Sequence, residues 1–227
     1  MRSPTGSSAA GRDLHRDRVV WQAASLLLAY PDDEVVARAE LIRSALADDA
    51  PNRLTDIAPL LDFWATASAS DVRCHYVEIF DLSRRHTLYL SYYTDGDTRR
   101  RGETLSAIKQ RYRRSEFLVD THGELTDYLP LMLEYAARAD PADGALLLQE
   151  FRRSLELLRL ALRDRRSPYA GVITAVCATL PGASPQDTQA VMAMAATGPP
   201  TETVGLEPYD PRLLPLHEAT RGAVGAR

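Results

Sequence analysis

The stretch from Asp140 to Arg166, DPADGALLLQEFRRSLELLRLALRDRR, decides the fold class. Leu148, Phe151, Leu155, Leu158 and Leu162 recur at steps of three, four, three and four, which is the stripe of one buried helix face. Asp140 and Pro141 read as an N-cap and a first helical position. The carboxylate can accept from an orphan amide, and proline lacks an N–H where none is needed. Ser167-Pro168 and Ser184-Pro185 repeat that signature and predict shorter helices near 168–180 and 185–196.

Working outward, the same period recurs. Asp13 to Tyr30 carries Val20, Trp21, Ala24, Leu27 and Leu28 on one face. Pro31 follows and can open the next helix, with Asp32, Asp33 and Glu34 at the positive end of its dipole. That helix aligns Val35, Ala39, Ile42 and Leu46. A third aligns Ile57, Leu60, Leu61 and Trp64, and a fourth aligns Val72, Tyr76, Ile79 and Phe80. Between Leu82 and Asp97 the period breaks, with Tyr89, Tyr92 and Tyr93 in the middle and turn residues at the end. It resumes over 98–116 with Leu105, Ile108 and Tyr112. Thr121 to Glu124 reads as a capping box for a helix burying Leu125, Leu129, Met132 and Ala136, and Pro130 predicts a kink or a late start.

No strand of convincing length and no repeat emerges, so the expected fold is all-α: a single-domain bundle of about eight to nine helices. Its bounds are residues 14–196, with a flexible N-terminus over 1–13. The tail over 197–227 has prolines at 199, 200, 208, 211 and 215 and no period, so it is expected to be disordered and dispensable for folding.

Composition excludes several classes. The 27 basic residues against 31 acidic ones give a net charge of −4, which does not suit a coat for DNA or an anionic membrane. Cys74 and Cys177 stand alone, with no CxxC or Cys/His cluster, so structural zinc, iron–sulfur and disulfide frameworks are not expected. Residues 1–13 lack an apolar core, and the greasy run Ala23–Tyr30 is too short to span a bilayer. A cytoplasmic protein without membrane insertion is the expectation.

Three constellations could carry function. Arg99, Arg100, Arg101, Lys109, Arg111, Arg113 and Arg114 face only Glu103 in their span. They are either a solvated helix face or a surface for phosphates, nucleic acid or an acidic regulatory partner. His86, His122, Glu124, Asp127 and Glu134 show no HExxH spacing and no nucleophile elbow, so no catalytic site is expected. Tyr76, Tyr89, Tyr92, Tyr93, Tyr112 and Tyr128 cluster in the central third, where they either rim the core or line a peptide groove.

The central block YVEIFDL (76–82), then RRHTLYLSYYTDGDTRRRG and ELTDYLPLMLEYAA, resembles the nitrate reductase assembly chaperones. These are the NarJ/NarW, or delta subunit, branch of the all-helical TorD-like chaperones for molybdenum oxidoreductases. The likeness runs from about Val20 to Ala196 and touches VGLEPYDP in the tail. The family's ExPDxLP stretch is matched by Glu124, Asp127, Leu129 and Pro130, with Thr126 where proline is usual.

The resemblance implies a non-catalytic chaperone with no cofactor of its own. It would bind the apo alpha subunit of respiratory nitrate reductase, chiefly by its N-terminal segment, and work alongside cofactor-delivery proteins. It would permit molybdenum cofactor insertion and complex assembly before membrane attachment, then leave, and would not be part of the final enzyme. A helix-in-groove mode would then seat client apolar residues against Tyr76, Ile79, Phe80, Tyr89, Tyr92, Tyr93 and Tyr128. Glu124 and Asp127 would meet client bases, and Arg99, Arg100 and Arg101 would rim the groove.

Overall fold

The computed structural model describes residues 6–115, 121 and 123–194, with side chains from Asp13 onward. Twelve α-helices form among these residues. They are α1 Gly6–Leu28, α2 Asp33–Ala37, α3 Ala39–Asp49, α4 Pro51–Thr66, α5 Ala69–Tyr76, α6 Tyr92–Asp95, α7 Arg99–Arg114, α8 Leu129–Glu134, α9 Pro141–Glu150, α10 Arg152–Asp164, α11 Tyr169–Cys177 and α12 Thr188–Met194. Five-residue π-helical turns extend α5 (Val77–Asp81) and α8 (Tyr135–Ala139), and a 3-10 turn covers Arg84–His86. Among the described residues no strand forms, and the one isolated antiparallel bridge joins Tyr89 to Tyr128.

The all-α class therefore holds, and the helix number exceeds the expected eight to nine because two periodic runs are broken and the short α6 forms within the Leu82–Asp97 break. The Val35–Leu46 run divides at Arg38, which caps α2. Asp32 is that helix's N-cap, accepting from the Val35 amide at 2.8 Å, so Pro31 lies outside the helix. The Asp140–Arg166 run divides at Phe151, but its stripe stays continuous: Leu148, Phe151, Leu155, Leu158 and Leu162 are all buried. Each such side chain contributes about 2 kcal/mol of burial, enough to hold both segments on one core. Asp140 caps α9 as expected, accepting from the Asp143 amide at 3.0 Å.

Other expectations are corrected. The capping box at 121–124 does not open a helix. The Glu124 amide donates to the Thr121 carbonyl at 2.8 Å in a turn, and Leu125 is exposed rather than buried. The helix begins at Leu129 with Pro130 in its first turn, the late start that proline favours. α12 is capped by Asp187, which accepts from the Ala190 amide at 2.8 Å, and not by Ser184. The Ser184 hydroxyl is engaged elsewhere, donating to Glu156 at 2.7 Å. α1 begins at Gly6, ahead of the expected Asp13. The tail expected over 197–227 lies outside the described residues.

α1 is the central rod, packed on α3, α8, α11 and the turn at 135–139, while α11 bridges α4 and α10. Gly171 permits that bridge: a Cβ there would stand 1.8 Å from the Asp56 carbonyl oxygen of α4. On α10, Glu156 is fully buried between Arg152 (Nη2, 2.8 Å) and Arg159 (Nε, 2.6 Å). Arg152 also donates to the Pro181 carbonyl at 3.0 Å, so the triad clamps the segment leading to α12.

Candidate functional site

The break in periodicity after Leu82 leaves a loop whose shape is set by two pairings. The Leu90 amide donates to the Asp127 carbonyl (3.1 Å) and the Leu129 amide to the Leu88 carbonyl (2.8 Å). This joins the tyrosine-rich loop to the start of α8. Leu88 and Leu90 alternate inward, so the half-buried Tyr89 points the other way and meets the Tyr128 ring at 5.4 Å.

Asp127 lies directly behind this bridge, fully buried. Its Oδ2 accepts from the Ser91 amide at 3.1 Å and the Ser91 hydroxyl at 2.5 Å, and Arg101 Nη2 stands 3.7 Å away. Arg101 Nε also donates to Ser91 Oγ at 3.1 Å. A buried carboxylate needs such donors, since an unpaired one costs several kcal/mol. The cluster ties α7 to the loop. α7 is tied to the segment before α8 by the Tyr112 hydroxyl, donating to the Thr126 carbonyl at 2.9 Å, and by the Thr126 hydroxyl, donating to the Leu105 carbonyl at 2.9 Å.

The residues expected to form the site therefore divide. Tyr76, Ile79 and Phe80 are buried: the ring of Phe80 lies 4.9 Å from those of Tyr76 and Tyr169, and Tyr76 donates to the Leu28 carbonyl at 3.1 Å. They form closed core, because the Val72–Phe80 stripe faces α11 and the end of α1. Asp127 is likewise internal, and Arg101 is spent on it. Glu124, Arg99 and Arg100 remain exposed. Glu124 accepts from the Tyr89 hydroxyl, and burial together with that carboxylate pushes the Tyr89 phenol up, holding it protonated. Arg100 reaches Asp95 at 3.4 Å.

The open surface lies on the other side of the loop. A groove of about 940 Å³ runs between it and α10. The loop wall is Leu82 to His86 with Tyr92 and Tyr93, and the helix wall is Leu157, Leu160, Ala161, Asp164 and Arg165. Glu78 and Thr188 complete the lining. Leu82 is 76% exposed, an unusual state for a leucine beside an apolar floor. The loop wall is held from within. Tyr93 donates to the Arg85 and Thr87 carbonyls, both at 3.1 Å, and His86 Nδ1 pairs with the Ile79 carbonyl at 3.1 Å.

Of the expected residues only Tyr92 and Tyr93 line this groove. Leu157, Leu160 and Ala161 were missed because the Leu155–Leu158–Leu162 stripe accounts for one face of α10. The available signal was that three further apolar residues widen its apolar arc beyond that stripe. Chemically the groove offers an apolar floor and charged walls, a lining that suits binding. Among the described residues no group of three or more His, Cys, Asp or Glu could hold a metal ion. No described helix is long and apolar enough to cross a membrane.

Comparison with known proteins agrees with this architecture. The chain is 39% identical over 161 residues to the nitrate reductase-like protein NarX of Mycobacterium tuberculosis, covering 71% of this chain and 24% of that protein. The chain thus spans about a quarter of that relative's length. It is 35% identical to the nitrate reductase molybdenum cofactor assembly chaperone NarJ of Bacillus subtilis, covering 72% of this chain and 89% of that one. Escherichia coli NarJ is 30% identical over 64% of this chain and 63% of its own. The crystal structure of a redox enzyme maturation protein from Archaeoglobus fulgidus superposes with a TM-score of 0.55 at 18% identity, over 71% of this chain and 91% of that one, a likeness of fold. Residues 45–175, which contain the whole groove apart from Thr188, match the nitrate reductase delta subunit family, and the chain belongs to that family.

Proposed function

We propose that this protein is an assembly chaperone for a nitrate reductase. In this reading it binds the apo catalytic subunit by its N-terminal segment and keeps it open for molybdenum cofactor insertion. It then leaves and takes no part in the finished enzyme. The cofactor is cargo of the client, and the chaperone itself catalyses nothing. Support comes from the delta subunit family, from relatives named as cofactor assembly chaperones, and above all from the groove beside Leu82. An apolar floor with an exposed leucine at its lip suits an amphipathic segment. Arg84, Arg85 and Arg165 on one hand, and Glu78 and Asp164 on the other, can meet either sign of charge at its ends.

Calorimetry tests this with a peptide from the N-terminus of a nitrate reductase catalytic subunit. Reversible capture calls for micromolar to nanomolar binding, roughly −8 to −12 kcal/mol. Leu82→Asp should weaken it at least tenfold with an unchanged melting temperature, because Leu82 buries little in the fold. Absence of binding by the folded protein, or indifference to Leu82→Asp, overturns the reading.

A further inference from the structure

We propose that the segment 202–210, ETVGLEPYD, docks in the same groove within its own chain, so that a client must displace it. The proposal rests on the reading of the groove as the client site and adds its regulation.

The first argument is charge. Between Glu202 and Asp210 the segment carries three carboxylates and no base, interleaved with Val204, Leu206 and Tyr209. The groove presents Arg84, Arg85 and Arg165 against Glu78 and Asp164, with apolar floor between them. None of those three guanidiniums forms an ion pair within 4.0 Å among the described residues, whereas Arg101 and Arg111 nearby are paired. Three acidic residues spaced by apolar ones match that lining better than any other stretch between Ala195 and Arg227, because the remainder of it carries three arginines and only Glu218.

The second argument is reach. Thr188, the first residue of α12, is itself part of the groove wall. α12 runs back along α10: Arg163 holds the Gln186 carbonyl at one end, and Arg153 lies against Met192 Sδ at the other. Met194 therefore ends about 9 Å from Thr188, at 1.5 Å per residue. Residues 195–201 can span up to about 23 Å when extended. The return is easily made.

A tether of this length holds its segment at an effective concentration on the order of millimolar. A segment of only about 0.1 mM intrinsic affinity would then fill the groove most of the time and weaken client binding about tenfold. It would also shield Leu82 and the α10 leucines from water until a client arrives.

Two measurements on the full chain test this. The first is the affinity of the client peptide for the double variant Glu207→Lys, Tyr209→Ser. About tenfold tighter binding than wild type, with the same melting temperature, is expected. The second is disulfide trapping between Ser83→Cys and Leu206→Cys, with the exposed Cys74 changed to Ser. An intrachain cross-link that client peptide suppresses is expected. A cross-link formed only between two chains would place a second copy in the groove and overturn the proposal. So would no cross-link together with unchanged client affinity. If the intrachain cross-link forms but the peptide binds neither protein, the segment docks as proposed and the client reading fails instead.

Discussion

Asp127 Oδ2 accepts hydrogen bonds from both the amide and the hydroxyl of Ser91, at 3.1 and 2.5 Å, with neither residue reachable by solvent. This contact fixes where the tyrosine-rich loop meets α8, and Arg101 adds the tie to α7. A residue that looks from the sequence like a surface charge for a partner is thus an internal joint.

Asp127→Ala should destabilise the fold by about 2–4 kcal/mol, since it orphans the buried Ser91 amide and takes one of two carboxylate partners from Arg101, which keeps Asp97. Asp127→Asn, which keeps an acceptor but loses the charge, should cost less, about 1–2 kcal/mol. Urea unfolding with an unchanged slope is the measurement. A variant as stable as wild type but defective in partner binding would show that the carboxylate acts outward.

Phe80→Ala should cost about 3–5 kcal/mol, as for a core aromatic, because the ring packs on Tyr76 and Tyr169. For a chain of this size that lowers the melting temperature by roughly 6–20 °C. A drop of only a degree or two would mean that the site yields to solvent.

Gly171→Ala should be poorly tolerated for a purely steric reason: the added methyl falls on the Asp56 carbonyl of α4. Overpacking of this kind costs about 1–3 kcal/mol or more, against a gain of under 1 from helix propensity. Equal or higher stability in thermal melts would show that α4 and α11 can separate freely.

The pH dependence carries two opposite signs. Burial raises the Asp17 carboxyl from 3.8 to about 6, with Arg53 opposing and Asp13 adding to the rise. The folded state therefore holds an extra proton between about pH 4 and 6, and stability should increase as pH falls through that window. Asp17 keeps an open side, so screening limits the effect to about 1 kcal/mol, and Asp17→Asn should remove it. Burial alone would raise Glu156, but the hydrogen bonds from Arg159, Ser184 and Arg152 overcome it and hold this carboxyl below its usual range. Its contribution is present above the ordinary carboxylate pKa and is lost only as pH falls further. Denaturant midpoints from pH 7 to 3 should therefore rise slightly before they fall, and a monotonic fall would contradict the Asp17 assignment.

The sequence alone determined the helical class, the stripes at Val20–Leu28, Ile57–Trp64 and Leu148–Leu162, and the family block around Tyr76–Ala136. Those features are local or periodic: a 3.6-residue repeat states which face is buried without saying against what. It also marked the break at Leu82–Asp97, which forms one wall of the groove. Only the tertiary structure decided which side of each element stays open. Tyr76 and Phe80 are amphipathic in pattern, but α11 arrives from ninety residues later with Tyr169 and closes over them. Asp127 carries a charge, but the loop at Ser91 and the helix at Arg101 fold around it. Leu82, Leu157 and Leu160 share a groove because α10 and the loop pack side by side, a juxtaposition that no local spacing encodes.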